Sequence, residues 1–198
     1  MLFDVTRSEH AIIFGEDRLA TLPATAFPPS TADTEGARLL QTVGVPDGTL
    51  WLREPDEDSG RLPLVQDVVN AENFDGAGEW PVIAWLLNAH LALDPDSGKV
   101  HAFDADEASV QELHTDVSSL LQVTFRFQRL LEEFTFSGDE EAEFERLERE
   151  VARICQETSS IDPLPFQDDE TAWYVIGEEI AAGQRFKANS PAARSLYA

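Results

Sequence analysis

The sequence predicts an α+β fold, an antiparallel β-sheet meander packed against helices concentrated in the C-terminal half. The middle of the chain carries short runs of alternating apolar and polar residues separated by turn formers, which indicates strands joined by hairpins. From about residue 116 onward the apolar residues recur at helical spacing instead. Because the strands come first and the helices follow, the order of elements is that of an α+β domain.

The N-terminal part predicts one strand and one helix. Residues 11–14 (AIIF) form a short apolar run before a glycine, which suits a strand that ends in a turn. After a proline-rich connection, residues 30–33 offer capping side chains just ahead of a helix over residues 37–43. Gly44 and Pro46 stop that helix.

The central region predicts a meander of at least three antiparallel strands. Residues 49–53 read as a preceding strand, and a polar, acidic loop over residues 54–60 follows it. In the first hairpin, Asn88 tolerates the positive φ that a tight turn requires, and residues 94–98 are rich in turn formers. The meander strands are predicted at residues 81–86, 90–94 and 99–104, with a fourth at 110–113.

The C-terminal region predicts three helices. Asp116 is a plausible N-cap of the first, although residues 123–127 taken alone also fit a strand. After a turn at residues 162–165, Asp168 or Asp169 is expected to cap the last helix, which Gly183 ends. The apolar positions that carry the three patterns are Val117, Leu120, Leu121, Phe127, Leu131 and Phe134, then Phe144, Leu147, Val151 and Ile154, then Trp173, Ile176 and Ile180.

Length and composition limit the class of protein. The chain has 198 residues, 42% hydrophobic and 26% charged, and we expect one globular domain over residues 1–198 with a loose polar tail at 184–198. An acid at Asp4 interrupts the apolar stretch that a signal peptide needs, and no run approaches the length of a membrane span. The lone Cys155 has no partner for an internal disulfide, so a cytoplasmic location is expected.

The net charge is the most unusual property of the sequence. Thirty-eight acidic residues against 14 basic ones give a formal net charge of −24. A strongly negative surface potential argues against binding of nucleic acid or anionic lipid and favours a basic partner, although solubility alone is an alternative use of the charge. The charge concentrates in the acidic loop and on one face of the middle helix. The candidate partner-binding residues are Asp56, Glu57, Asp58, Glu140, Glu141 and Glu143.

No residue pattern points to catalysis, to a cofactor or to a metal. The turn at residues 94–98 superficially resembles a calcium loop, but Ala105 stands where the twelfth-position acid ligand belongs. The four histidines, His10, His90, His101 and His114, show no metal-ligand spacing. Cys155 falls on the apolar side of its helix, where a small buried hydrophobe is expected rather than a thiolate. Phosphate-binding, dinucleotide-binding and nucleophile-elbow patterns are absent from the sequence.

Several short motifs resemble the SUKH superfamily, particularly its fourth immunity-protein subgroup. Residues 82–84, 91–94 and 98–104 resemble its central strands, and residues 39–46 resemble its opening helix and Gly-x-Pro turn. Residues 161–166 resemble its closing Asp-Pro turn. Trp173 and residues 178–183 resemble its last helix, which carries a Trp. The sequence departs from the subgroup at Ala84, where a glycine is expected, and at residues 114–116, where the subgroup favours an Asn-Ser-Ser-like helix start.

The resemblance implies a cytoplasmic bacterial immunity protein that binds and neutralises a polymorphic toxin, for example a nuclease or a nucleic-acid deaminase, without catalysis. The expected mechanism is occlusion of a basic toxin by the acidic surface. One alternative is an intracellular ligand-binding or regulatory scaffold, for which Trp51, Trp80 or Trp85 would line a pocket. Another is a hydrolase that depends on His101 or His114.

Overall fold

The computed structural model describes residues 1–69, 76–104, 109–136 and 140–187, without the side chain of Glu140. The chain divides into two compact units, Met1–Thr124 and Phe125–Ala198. The fold is α+β, with the strand meander in the middle of the chain and helices in its C-terminal half, as the sequence predicts. One domain over all 198 residues stays a prediction, and the predicted tail lies outside the described residues beyond Lys187.

The helices and strands alternate irregularly before the meander and helices predominate after it. The α-helices are α1 Arg7–Phe14, α2 Glu35–Thr42, α3 Val65–Val68, α4 Val117–Glu133, α5 Glu140–Ser159 and α6 Ala172–Ala181. The strands are β1 Leu19–Ala20, β2 Val45–Pro46, β3 Trp51–Leu52, β4 Val82–Leu86, β5 Ala89–Leu93, β6 Val100–Asp104 and β7 Ser109–His114. Within the described residues, no helix combines the length and the apolar character that crossing a bilayer requires.

The main sheet has five strands in the order β3-β4-β5-β6-β7, and each strand is antiparallel to its neighbours. The predicted meander is therefore confirmed, with β3 and β7 as its edges. The turn between β4 and β5 differs in one detail, because Leu87 rather than Asn88 has the positive φ, 55°. The turn between β5 and β6 is closed by Asp94, whose Oδ1 accepts a 2.9 Å hydrogen bond from the backbone N–H of Asp96.

The predicted strand over residues 11–14 is wrong, because these residues end the helix α1. The hydroxyl of Thr6 caps this helix by accepting a hydrogen bond from the backbone N–H of Glu9. His10 and Phe14, four residues apart, are buried, whereas Ile12 is 85% exposed. The burial therefore follows helical spacing. The apolar run led to a strand prediction, although half of its residues face solvent.

Helix α2 packs against the sheet inside the first unit through a glycine. A Cβ atom added at Gly36 would lie 2.7 Å from Val117 and 3.3 Å from Leu93, so only glycine allows this approach without rearrangement. The cap of α2 is Thr34, which accepts a hydrogen bond from the backbone N–H of Ala37, and not one of residues 30–33.

The predicted start of α4 is confirmed. Asp116 Oδ1 accepts a 2.9 Å hydrogen bond from the backbone N–H of Ser119, which is the bond of an N-cap. The other carboxylate oxygen accepts a 2.7 Å bond from the backbone N–H of Leu2. Asp116 thus caps the helix and holds the N-terminal segment, although its sequence context departs from the Asn-Ser-Ser-like start.

The second unit is built on the apolar faces predicted for its helices. Trp173 is fully buried and its ring stacks on Phe127 with centroids 5.8 Å apart. A Cβ atom at Gly177 would lie 3.2 Å from Val151, so α5 and α6 approach closely there. The cap of α6 is Thr171 and neither Asp168 nor Asp169, since Asp168 instead accepts a hydrogen bond from the backbone N–H of Glu170.

Candidate functional site

The acidic loop is held by its backbone and exposes its side chains. The backbone N–H of Asp56 donates to the carbonyl of Arg61 at 2.8 Å, and the N–H of Gly60 donates to the carbonyl of Asp56 at 2.7 Å. Gly60 has a φ of 65°, which closes the turn. Asp56, Glu57 and Asp58 are all exposed. Within the described part of the chain, their carboxylates form no ion pair, so their charges are left to solvent or to a partner.

A cleft of about 370 Å³ adjoins this loop. Its lining includes Asp56, Arg61 and Asp67 together with Arg53 and Glu54, so opposite charges face the same space. Mixed charge of this kind fits polar contacts with a protein side chain better than it fits an apolar ligand.

The acidic residues at the start of α5 have different environments. Glu141 is exposed, and the side chain of Glu140 lies outside the described residues. Glu143 is only 8% exposed, and its Oε2 accepts a 2.8 Å hydrogen bond from Nε of Arg146. Arg146 also donates to the carbonyl of Thr135. Glu143 thus has a structural partner three residues along the helix, a spacing that helical pairs share, and its burial is set by the tertiary fold.

The sequence candidates fall into two groups that belong to different units. The loop residues Asp56, Glu57 and Asp58 are consecutive and belong to the first unit, and Glu140, Glu141 and Glu143 begin α5 in the second. The members of each group are neighbours within their own unit.

An aromatic row on the first unit's sheet was not recognised as a surface from the sequence. Trp51 on β3 is directly opposite Trp85 on β4, and Trp85 is directly opposite His90 on β5. Trp51 is 64% exposed and Trp85 44% exposed. The rings of Trp85 and His90 stack, with centroids 5.5 Å apart and planes inclined by 22°. We call Trp51, Trp85 and His90 the tryptophan surface.

The sequence contains the three aromatic residues of this surface, but only the strand register shows that they are neighbours. Trp51, Trp85 and His90 are far apart in the chain, and the strand pairing brings them into one row. The next residue in the row is Phe103, which is fully buried beside the partly buried Trp80. The row continues to Val110 on the edge strand β7, which is 48% exposed, so Phe103 is covered while both edges of the row are open.

The pKa of His90 is lowered, first by burial and then by the charge of Arg53, while Asp104 opposes the shift. Burial likewise lowers the pKa of His101, whose ring packs 4.8 Å from Trp80. Nδ1 of His90 and Nε2 of His101 are buried without a hydrogen-bond partner in the described structure. Both imidazoles are therefore neutral at pH 7.

His114, one of the two histidines of the hydrolase alternative, is closed off from a substrate. Nδ1 of His114 lies 2.9 Å from Oγ of Ser119, but both side chains are fully buried and have no access to a substrate. Burial raises the pKa of Cys155 to about 11, which keeps it a thiol. Among the residues that the structure describes, no three His, Cys, Asp or Glu side chains come together as a metal site.

The comparisons with known proteins identify a family. The model of the SUKH-4 immunity protein family matches residues 5–179, which is most of the chain. No curated protein and no solved structure matches the sequence. The family match therefore stands beside the geometry as the guide to function.

Proposed function

Because the chain belongs to the SUKH-4 immunity protein family, we propose that it binds and neutralises a cognate toxin of a bacterial polymorphic toxin system, without catalysis and in the cytoplasm. The mechanism is occlusion. Acidic side chains dock on a basic toxin surface and take the place of the polyanion that a nuclease or nucleic-acid deaminase binds. No cofactor or metal takes part.

The observation that carries this mechanism is the unpaired charge of the acidic loop. Asp56, Glu57 and Asp58 are exposed, adjacent and without an ion pair in the described structure, in a chain with a net charge of −24. Clustered like charges destabilise the folded state by mutual repulsion, and a basic partner removes that repulsion when it binds. The charge therefore favours association with a basic protein and accelerates it.

The loop is the first of the two acidic groups that we propose for binding. Glu140 and Glu141 stay predicted partner-binding residues on α5. Glu143 also stays a predicted partner-binding residue, but its ion pair with Arg146 must break before its carboxylate can bind a partner. The loop carboxylates need no such exchange.

The test is protection of cells from a toxin, which we expect to be encoded immediately upstream of this chain's gene. The toxin is produced from an inducible promoter with and without this chain, and survival is counted. We expect survival only with the chain, together with a purified complex that dissociates as the salt concentration is raised. Unchanged killing in the presence of the folded chain would contradict the proposal. If the chain protects cells but the affinity of the complex does not change with salt, neutralisation stands and its electrostatic mechanism is wrong.

A further inference from the structure

The tryptophan surface has the physical properties of an anchor site for a binding partner. Trp51 and Trp85 are directly opposite each other in register and both are exposed, so two indole side chains occupy neighbouring positions at the β3 edge of the sheet. Tryptophan and arginine are the residues most enriched among those that dominate binding energies. An adjacent pair of exposed tryptophans therefore differs from singly scattered surface apolar residues, which need no explanation.

The surface is ordered before any partner arrives. The ring of His90 stacks on Trp85, and β4 and β5 hold both residues on a five-stranded sheet. An aromatic side chain that is already held in place loses little conformational entropy on binding. His90 is neutral at pH 7, because burial and the charge of Arg53 lower its pKa, so it adds no positive charge to the surface.

A run of carboxylates follows this surface along the chain. The acidic loop leaves the sheet shortly after Trp51, and the backbone N–H of Arg53 still donates to the carbonyl of Ile83 at 3.0 Å before the loop begins. Asp104 is opposite Ala89 in register, and its carboxylate already accepts a 2.7 Å hydrogen bond from the side-chain amide of Asn88, so the carboxylates available to a partner are those of the loop. Arg53 itself is a positive charge at the margin, outnumbered by the acids of residues 54–58.

Aromatic faces with carboxylates beside them match one side chain in particular. The guanidinium of arginine is planar, stacks on an indole face and donates paired hydrogen bonds to a carboxylate, whereas the lysine ammonium is a strongly hydrated point charge. A second copy of this chain is a poor occupant, because it would bring another net charge of −24 to the same place.

We propose that the tryptophan surface docks an arginine-bearing segment of the toxin, with guanidinium groups stacked on Trp51 and Trp85 and paired with carboxylates of the acidic loop. This inference rests on the proposed function and names the surface and the partner side chain for it. The indoles supply the preference for arginine, and Asp56, Glu57 and Asp58 supply the long-range attraction.

The test uses the full chain and two synthetic peptides of equal charge, (Gly-Arg)₅ and (Gly-Lys)₅. Nuclear magnetic resonance separates the indole N–H signals of the four tryptophans, assigned by single Trp→Phe variants. We expect the arginine peptide to shift the signals of Trp51 and Trp85 and to leave that of the buried Trp173 in place. The lysine peptide is expected to bind several-fold more weakly and to shift the same signals less.

Two variants complete the experiment. Trp51→Ala combined with Trp85→Ala should weaken binding of the arginine peptide roughly tenfold and abolish its advantage over the lysine peptide. The matched control is Tyr174→Ala, which removes an exposed aromatic ring from the second unit and should change neither affinity. Equal affinity of the wild-type chain for both peptides, or indole signals that do not move, would overturn the proposal without any need for a variant.

The peptide titration and the protection assay fail independently. Protection without any response of Trp51 and Trp85 would leave the immunity function standing and dismiss the tryptophan surface as its anchor. A response of the two indoles without protection would dismiss toxin neutralisation and leave an arginine-binding surface.

Discussion

The acidic loop of the first unit and the acidic helix α5 of the second carry charge of the same sign in opposite ways. In α5 the arginines neutralise neighbouring acids: Arg146 pairs with Glu143, and Arg153 pairs with Glu150 at 2.7 Å and with Glu157 at 3.0 Å. Within the described structure, residues 56–58 have no such pairs. Total charge is therefore a poor guide to a docking surface, and the charge that has no internal partner is the better one.

Charge reversal in the loop is the change with the largest expected effect. Asp56→Lys, Glu57→Lys and Asp58→Lys together should slow association with the toxin roughly hundredfold at low salt, because attraction becomes repulsion. Stopped-flow mixing measures this rate. The unfolding free energy should change by less than about 0.5 kcal/mol, since the three side chains are exposed.

The matched variant reverses three acids of α5 that pair with arginines, Glu145→Lys, Glu150→Lys and Glu157→Lys. It changes the net charge by the same amount. We expect a clearly smaller effect on the association rate, because net charge alone acts at long range. If both variants slow association equally, the loop has no special role and net charge alone explains the rate.

Removal of Arg146 should affect stability rather than binding. Arg146→Met removes the guanidinium that donates to the carboxylate of the buried Glu143 and that lies 3.9 Å from the centre of the Phe134 ring. We expect the free energy of unfolding in urea to fall by about 1–3 kcal/mol. Arg149→Met is the control, since Arg149 and Glu145 are both exposed and 3.5 Å apart, and its cost should stay below about 0.5 kcal/mol. Similar losses in both variants would remove the structural role given to Glu143.

The two units should also differ in their response to mild acid. All four histidines belong to the first unit, and burial lowers the pKa of His10, His90 and His101 from the usual 6.5. Below pH 6.5 the unfolded chain therefore binds more protons than the folded one, so stability is complete above that pH and is lost as the pH falls.

The measurement is hydrogen exchange of the two units at pH 7.5 and pH 5.5, after correction for the intrinsic exchange rates. Protection should fall more in the first unit than in the second, and His101→Phe should reduce that fall. A larger loss in the second unit, or an unchanged fall in the variant, would contradict the assignment to these imidazoles.

The sequence predicted the elements whose residues act locally or repeat regularly. Asp116 caps α4, Gly44 has a positive φ of 79° after α2, and the meander strands lie between the predicted turns, although β4 and β5 are buried along most of their length and not alternately. It failed over residues 11–14, where four apolar residues are too few to separate a helix from a strand. The cap residue of α6 was missed by a few positions, because several polar residues in a row can each accept the first hydrogen bonds.

The candidate site was only half accessible from the sequence. The loop acids could be named, because a run of charge between two apolar segments is exposed in almost any fold. The buried pairing of Glu143 with Arg146 depends on the tertiary environment, and the tryptophan surface depends on the register of three strands. Local spacing offers the Glu143–Arg146 pair, three residues apart, but it gives neither the burial of Glu143 nor the strand register.

The salt dependence of the affinity for the toxin tests the central claim most directly, measured for the wild-type chain and two neutralised variants. One is Asp56→Asn, Glu57→Gln and Asp58→Asn, and the other neutralises the arginine-paired acids of α5, Glu145→Gln, Glu150→Gln and Glu157→Gln. The unpaired loop charge predicts a wild-type affinity that falls steeply with salt, and a clearly shallower dependence in the loop variant than in the helix variant. An affinity that salt does not change would contradict the claim. So would a salt dependence as shallow in the helix variant as in the loop variant.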